Sequence, residues 1–126
     1  MTATNKKLTR TNEELTDCII DALQEKKAQQ IVKMDLSVLQ VTLFDRFIIC
    51  TATSNTQAEA LCDNVCMKVK QQLGILPSHV EGINNAQWIL IDYFNVMVHI
   101  FLPEMREYYN LEGLWADAQK EEFAAI

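Results

Sequence analysis

The chain has 126 residues and a formal net charge of −6, with 49% hydrophobic and 22% charged residues, the make-up of one globular domain. No apolar run reaches the ~18 residues of a membrane span, and no signal-peptide core opens the sequence. On that ground a cytoplasmic protein is expected, and the acidic balance argues against a nucleic-acid binder built on phosphate contacts and suits a basic protein partner.

The polar segment 1–11 carries Lys6, Lys7 and Arg10 without an acid and reads as a flexible N-terminal arm. A first helix is expected from about Asn12 to Lys27, with Thr11 and Glu14 at capping-box spacing and Leu15, Cys18, Ile19, Ala22 and Leu23 as its apolar stripe. Strands are expected at about Gln30–Leu36 and Arg46–Thr51. Between them Val38, Leu39, Val41, Leu43 and Phe44 suit either a strand edge or a short helical turn.

Ser54, with Gln57 three residues on, starts a second helix that should end near Gly74, and Pro77 prevents its resumption. Cys62 and Cys66 share a helical face and could in principle hold a metal. They lie, however, within the stripe Ala58, Leu61, Cys62, Val65, Cys66, Val69, Leu73, without a CxxC or HxxxH companion, so they read as core. Cys18, Cys50, Cys62 and Cys66 are read as reduced thiols.

A short strand at His79–Glu81 leads into two β-rich runs, Trp88–Asp92 and Val96–Phe101, joined as a hairpin. If Phe94-Asn95 is a two-residue loop, Leu90 lies opposite His99 and Asp92 opposite Met97. Trp88, Leu90, Asp92, Met97, His99 and Phe101 then share one face, and Ile89, Ile91, Val98 and Ile100 the other. Pro103 stops the last strand. Two short helices follow, with Asn110 as the cap between them and Leu111, Leu114, Trp115 and Ala118 at helical spacing as core. The domain should span 12–118, with 119–126 a C-terminal tail; six acids against two bases between Glu104 and Ile126 make that end acidic. The expected fold class is α/β (α+β): one mixed sheet of about five strands flanked by helices.

Trp88, Asp92 and His99 are polar or bulky where burial alone would call for Val or Ile. Two readings fit. Their face is a partner surface, a large aromatic with apolar neighbours and a few directional polar groups, or a C-terminal helix covers it and His99 merely bonds Asp92. Arg106 and Glu112 read as solvated or as a weak surface pair, while Tyr108 and Tyr109 suit an interface rim or a core edge. There is no phosphate-binding glycine loop, no GxSxG, and no Gly-Ser turn followed by Asp-x-Asp; with two histidines, no catalytic site, metal site or cofactor is expected.

Glu81-Gly82, Trp88, Asp92, Val98-His99, Arg106, Tyr109, Leu111-Glu112 and Leu114-Trp115 stand in the register EG…W…D…VVH…R.FY.LE.LW. With Asp45-Arg46-Phe47-Ile48-Ile49-Cys50-Thr51-Ala52-Thr53-Ser54 they resemble the ribosomal silencing factor family (RsfS, also called Iojap) over residues 12–118. Ala52 replaces the family's usual Gly, so that turn should not need φ > 0, and Phe94-Asn95 replaces Gly-Asp, leaving the turn type open. The resemblance implies a fold distantly similar to nucleotidyltransferases, in shape rather than chemistry. It also implies a translational repressor that docks on large-subunit ribosomal protein fourteen and blocks subunit joining, able in some members to form a homodimer, with no membrane and little direct nucleic-acid contact. It favours the partner-surface reading, with Trp88, Asp92, Tyr93 and His99 carrying binding and Tyr108 and Tyr109 beside them. The alternative is a nucleotide-related transferase retaining activity on the same fold.

Overall fold

A computed structural model describes residues 2–39 and 45–125, with side chains from Asn12 onward, Val38 excepted. The described residues form a six-stranded mixed sheet in the order β3-β4-β5-β2-β1-β6. The strands are β1 (Gln29–Asp35), β2 (Arg46–Thr51), β3 (His79–Glu81), β4 (Trp88–Tyr93), β5 (Val96–Phe101) and β6 (Gln119–Phe123). The helices are α1 (Thr2–Glu25), α2 (Asn55–Leu73), α3 (Pro103–Tyr109) and the single turn α4 (Leu111–Leu114). β2 and β5 run parallel, and the other neighbours are antiparallel.

The expected α1 stripe is buried as drawn, against Ala58, Leu61, Cys62, Val65 and Val69 of α2 and against Ile89, Ile91, Val98 and Ile100 of the sheet. The α1 backbone, however, starts at Thr2 and runs through Thr11, so the capping-box spacing there marks no helix start. At α2 both ends are as read. Ser54 Oγ accepts from the Gln57 backbone N–H, and Gly74 sits at φ 68 as the left-handed C-cap. Gln57 Oε1 reaches back to the N–H of Thr53 rather than that of Ser54, at 2.6 Å. Ala52 has no positive φ and is fully buried.

Two expectations are corrected and one open choice is narrowed. Residues 119–123, read as tail, form β6 along β1, with Ile31 opposite Phe123 and Asp35 opposite Gln119, and Lys33 pairs with Glu121 at 3.1 Å. This sixth strand is an edge with almost every side chain exposed, so backbone pairing rather than apolar burial holds it. Leu114, expected in the core, is 70% exposed, because α4 lasts one turn and only Leu111, Trp115 and Ala118 reach the sheet. The Asp35–Asp45 connection contains a 3-10 turn at Ser37–Leu39; the remaining expectation, on Val41, Leu43 and Phe44, lies outside the described residues.

The two sheet faces have different cover. One is closed by α1 and α2. On the other, Val32, Met34, Phe47, Ile49, Met97 and Phe101 form a second apolar layer, against which, among the described residues, Leu39 and the C-terminal Met105, Tyr109, Leu111, Trp115 and Ala118 pack. Trp88 and Leu90 of β4 also lie on this thinly covered face and are partly accessible.

Candidate functional site, an aromatic patch on the open sheet face

The hairpin has the expected register: Leu90 faces His99 and Asp92 faces Met97. Phe94 takes φ 71 while Asn95 has no positive φ, the type II′ pattern, and Asp92 makes this possible without glycine. Its Oδ1 accepts from the Phe94 N–H at 2.8 Å, and its other oxygen lies 3.7 Å from His79 Nδ1. Asp92 therefore anchors the turn, with little of its carboxylate turned to solvent.

His99 is 3% exposed and does not bond Asp92. Its Nδ1 accepts the indole N–H of Trp88 at 3.1 Å. An acceptor at Nδ1 places the imidazole proton on Nε2, which is buried without a hydrogen-bond partner. The ring lies edge-on to Phe47, 4.7 Å between centroids, and is stacked with Phe101 at 5.9 Å. In this apolar slot burial pushes the His99 pKa down to about 3, so the ring is neutral.

Trp88 stacks on Phe101 at 5.0 Å and meets Tyr109 at 4.5 Å, and Tyr109 in turn meets Tyr108 edge-on at 5.1 Å. From His99 outward the rings thus form one layer, buried at His99, partly accessible at Trp88, 43% exposed at Tyr109 and 79% exposed at Tyr108. The apolar ring bodies supply contact area and both tyrosines are accessible to solvent, a composition suited to protein contact.

Tyr93 is corrected out of this group. Strand alternation sets it with Ile89 and Ile91 against α1 and α2, where it is 4% exposed and its hydroxyl is buried beside the Cys66 thiol. The structure therefore brings Trp88, His99, Tyr109 and Tyr108 together, leaves Asp92 at the end of the same face, and removes Tyr93 to the other.

Arg106 and Glu112 are not a weak surface pair. Arg106 Nε donates to Glu112 Oε1 at 2.9 Å, and its Nη1 donates to the Gln30 carbonyl at 2.7 Å and to Thr51 Oγ1 at 2.9 Å. With side-chain exposures of 12% and 29%, the pair is largely shielded from solvent. Arg106 clamps α3, which carries both tyrosines, to the irregular start of β1, where Gln30 adopts φ 50. Arg106→Ala should lower unfolding free energy by ~2–3 kcal/mol, since three charge-assisted bonds go and Glu112 loses its partner. Denaturant titration checks it; a loss below ~0.5 kcal/mol would return the pair to the surface class.

The family described as "Ribosomal silencing factor during starvation" matches residues 9–126. A ribosomal silencing factor RsfS of Halalkalibacterium halodurans is 37% identical over 115 residues, covering 91% of this chain and 97% of its own. A crystal structure of a protein from Chromobacterium violaceum superposes with a TM-score of 0.78 at 38% identity, covering 89% of this chain and 91% of that one. A mouse protein named for mitochondrial assembly of the ribosomal large subunit is 28% identical over 106 residues, covering 79% of this chain and 44% of its own length. With the family matched across nearly all of its length, and the Trp88–His99 pair and Arg106 clamp explaining the motif residues that carried the resemblance, the chain belongs to the ribosomal silencing factors.

Proposed function

We propose that the chain is a non-enzymatic translational repressor of the cytoplasm that docks on protein fourteen of the free large ribosomal subunit and keeps the small subunit from joining. The observation that supports this most directly is the aromatic layer Trp88–Tyr109–Tyr108, partly exposed on the sheet face that α1 and α2 leave open. The physics is competition: a ligand that binds only the free large subunit draws the association equilibrium back by mass action. The net charge of −6 suits a basic protein surface better than ribosomal RNA.

Added to mixed subunits, the protein should replace the joined-ribosome peak of a sucrose gradient with free subunits while co-sedimenting with the large one. Co-sedimentation with the small subunit would overturn the proposal. Trp88→Ala should weaken large-subunit binding of the folded protein by about 2 kcal/mol, roughly thirtyfold, besides the stability lost with its stacking and its bond to His99. Ile91→Ala, on the closed face, should lower stability and leave binding of the folded protein unchanged. If Trp88→Ala binds as the parent does, the interface lies elsewhere. A homodimer through an exposed edge, β3 or β6, belongs to the same reading, and light scattering on a size-exclusion column gives the mass that decides it.

A further inference from the structure

Trp88 has one polar atom, the indole N–H, and the structure shows it directed inward, onto His99 Nδ1 at 3.1 Å. His99 is itself 3% exposed, wedged against Phe47 and Phe101, and offers no surface for a partner to touch. A histidine buried in an apolar layer leaves Nε2 without a partner, a cost that a leucine or phenylalanine there would avoid. What the imidazole supplies that those residues do not is an acceptor for Trp88.

We propose that His99 is a positioning residue: by accepting the Trp88 indole proton it fixes the ring on the open face and leaves it only carbon surface to present, so that the partner group seated on Trp88 is apolar and not a hydrogen-bond acceptor. The proposal rests on the reading that this face binds the large subunit. It departs from the sequence-based expectation that His99 itself touches the partner. A free indole on a surface wants an acceptor and rotates to find one; an indole already bonded internally is held in one rotamer and gives up less entropy on docking. Tyr109, packed on Trp88 at 4.5 Å, restrains the ring from another side.

The test begins with the unaltered protein. Trp88 and Trp115 give two indole N–H signals in a nitrogen–proton NMR spectrum. That of Trp88, identified by its loss in Trp88→Phe, should exchange slowly with solvent deuterium; exchange at the rate of a free indole would overturn the proposal with no variant needed. His99→Phe fills the slot without an acceptor and should weaken binding to free large subunits about five- to tenfold, the size of one lost hydrogen bond. His99→Asn, whose side-chain oxygen can stand near the Nδ1 position, should recover most of that loss.

In the Trp88→Phe background, which has no indole N–H, His99→Phe should weaken binding no further. Additive losses in this cycle, or equal losses from His99→Phe and His99→Asn with the Trp88 signal unmoved, would make His99 a packing residue only. The premise fails in a different way: if Trp88→Ala binds large subunits as the parent does while the Trp88 proton is protected, the bond exists but the face is not the docking surface.

Discussion

Gly82→Ala should cost ~4 kcal/mol or more of unfolding free energy, among the largest losses available to a single methyl group in this chain. Gly82 has φ 87, in the left-handed region, and a Cβ there would stand 2.0 Å from the Trp88 carbonyl oxygen and 3.1 Å from its carbonyl carbon. Both contacts are backbone, so no side chain can swing aside; β4 or the loop must move. That loop is itself bonded, with the Ala86 N–H on the Gly82 carbonyl at 2.9 Å and the Leu102 N–H on the Gln87 carbonyl at 2.9 Å. Displacing it displaces Trp88. Gly74→Ala is the control: its φ is 68, but nothing lies within 4 Å of the added methyl, so only the conformational penalty of ~1 kcal/mol remains. For a domain of this size ~4 kcal/mol corresponds to roughly 12–20 °C of melting temperature. Thermal unfolding of the two variants side by side checks it, and equal shifts would mean that the close approach to Trp88 relaxes at little cost.

The contrast between Gly82 and residues 119–123 shows where the sequence is readable. Elements that bury a face announce it by periodicity: the Ala58–Val69 stripe, the Ile89/Ile91 alternation and the caps Ser54 and Gly74 all stand where their spacing puts them. β6 buries almost nothing, and Gln119-Lys120-Glu121-Glu122-Phe123 carries no period of two, so its place beside β1 rests on backbone bonds that leave no mark on side-chain choice. The site follows the same logic. The face shared by Trp88, Leu90, Asp92, Met97 and His99 was legible from a two-residue loop alone. Which polar groups pair within it was not, because the choice between Asp92 and Trp88 as the His99 partner depends on side-chain reach. The family resemblance groups Tyr93 with the binding residues, although alternation sets it with Ile89 and Ile91. Arg106 is a long-range case, its acceptors at Gln30 and Thr51 being distant in sequence and brought within reach by the β1–β2 pairing.

Between pH 7 and pH 4 the folded state should lose ~3 kcal/mol through His99 alone. An unfolded histidine protonates near 6.5, whereas burial among Phe47, Phe101 and Trp88 holds His99 down to about 3. Between those values the unfolded chain binds a proton that the folded chain refuses, so acid favours unfolding, by ~1.4 kcal/mol for each pH unit inside the window. The contribution is constant above pH ~6.5 and is spent as the pH falls toward 3. Protonation would also put a donor on Nδ1, facing the Trp88 N–H, and the ring pair would have to part. The onset separates this histidine from the carboxylates. Glu25, held below its ordinary 4.5 by the hydrogen bond from Lys68, weakens the fold only at lower pH. Denaturant titrations at pH 7, 5.5 and 4 should show the decline in the parent and a flatter curve in His99→Phe; parallel curves would mean that water or a rearranged slot accommodates the imidazolium. Above pH ~6.5 the His99 ring is neutral in folded and unfolded chain alike, so the Trp88–His99 bond is independent of pH there.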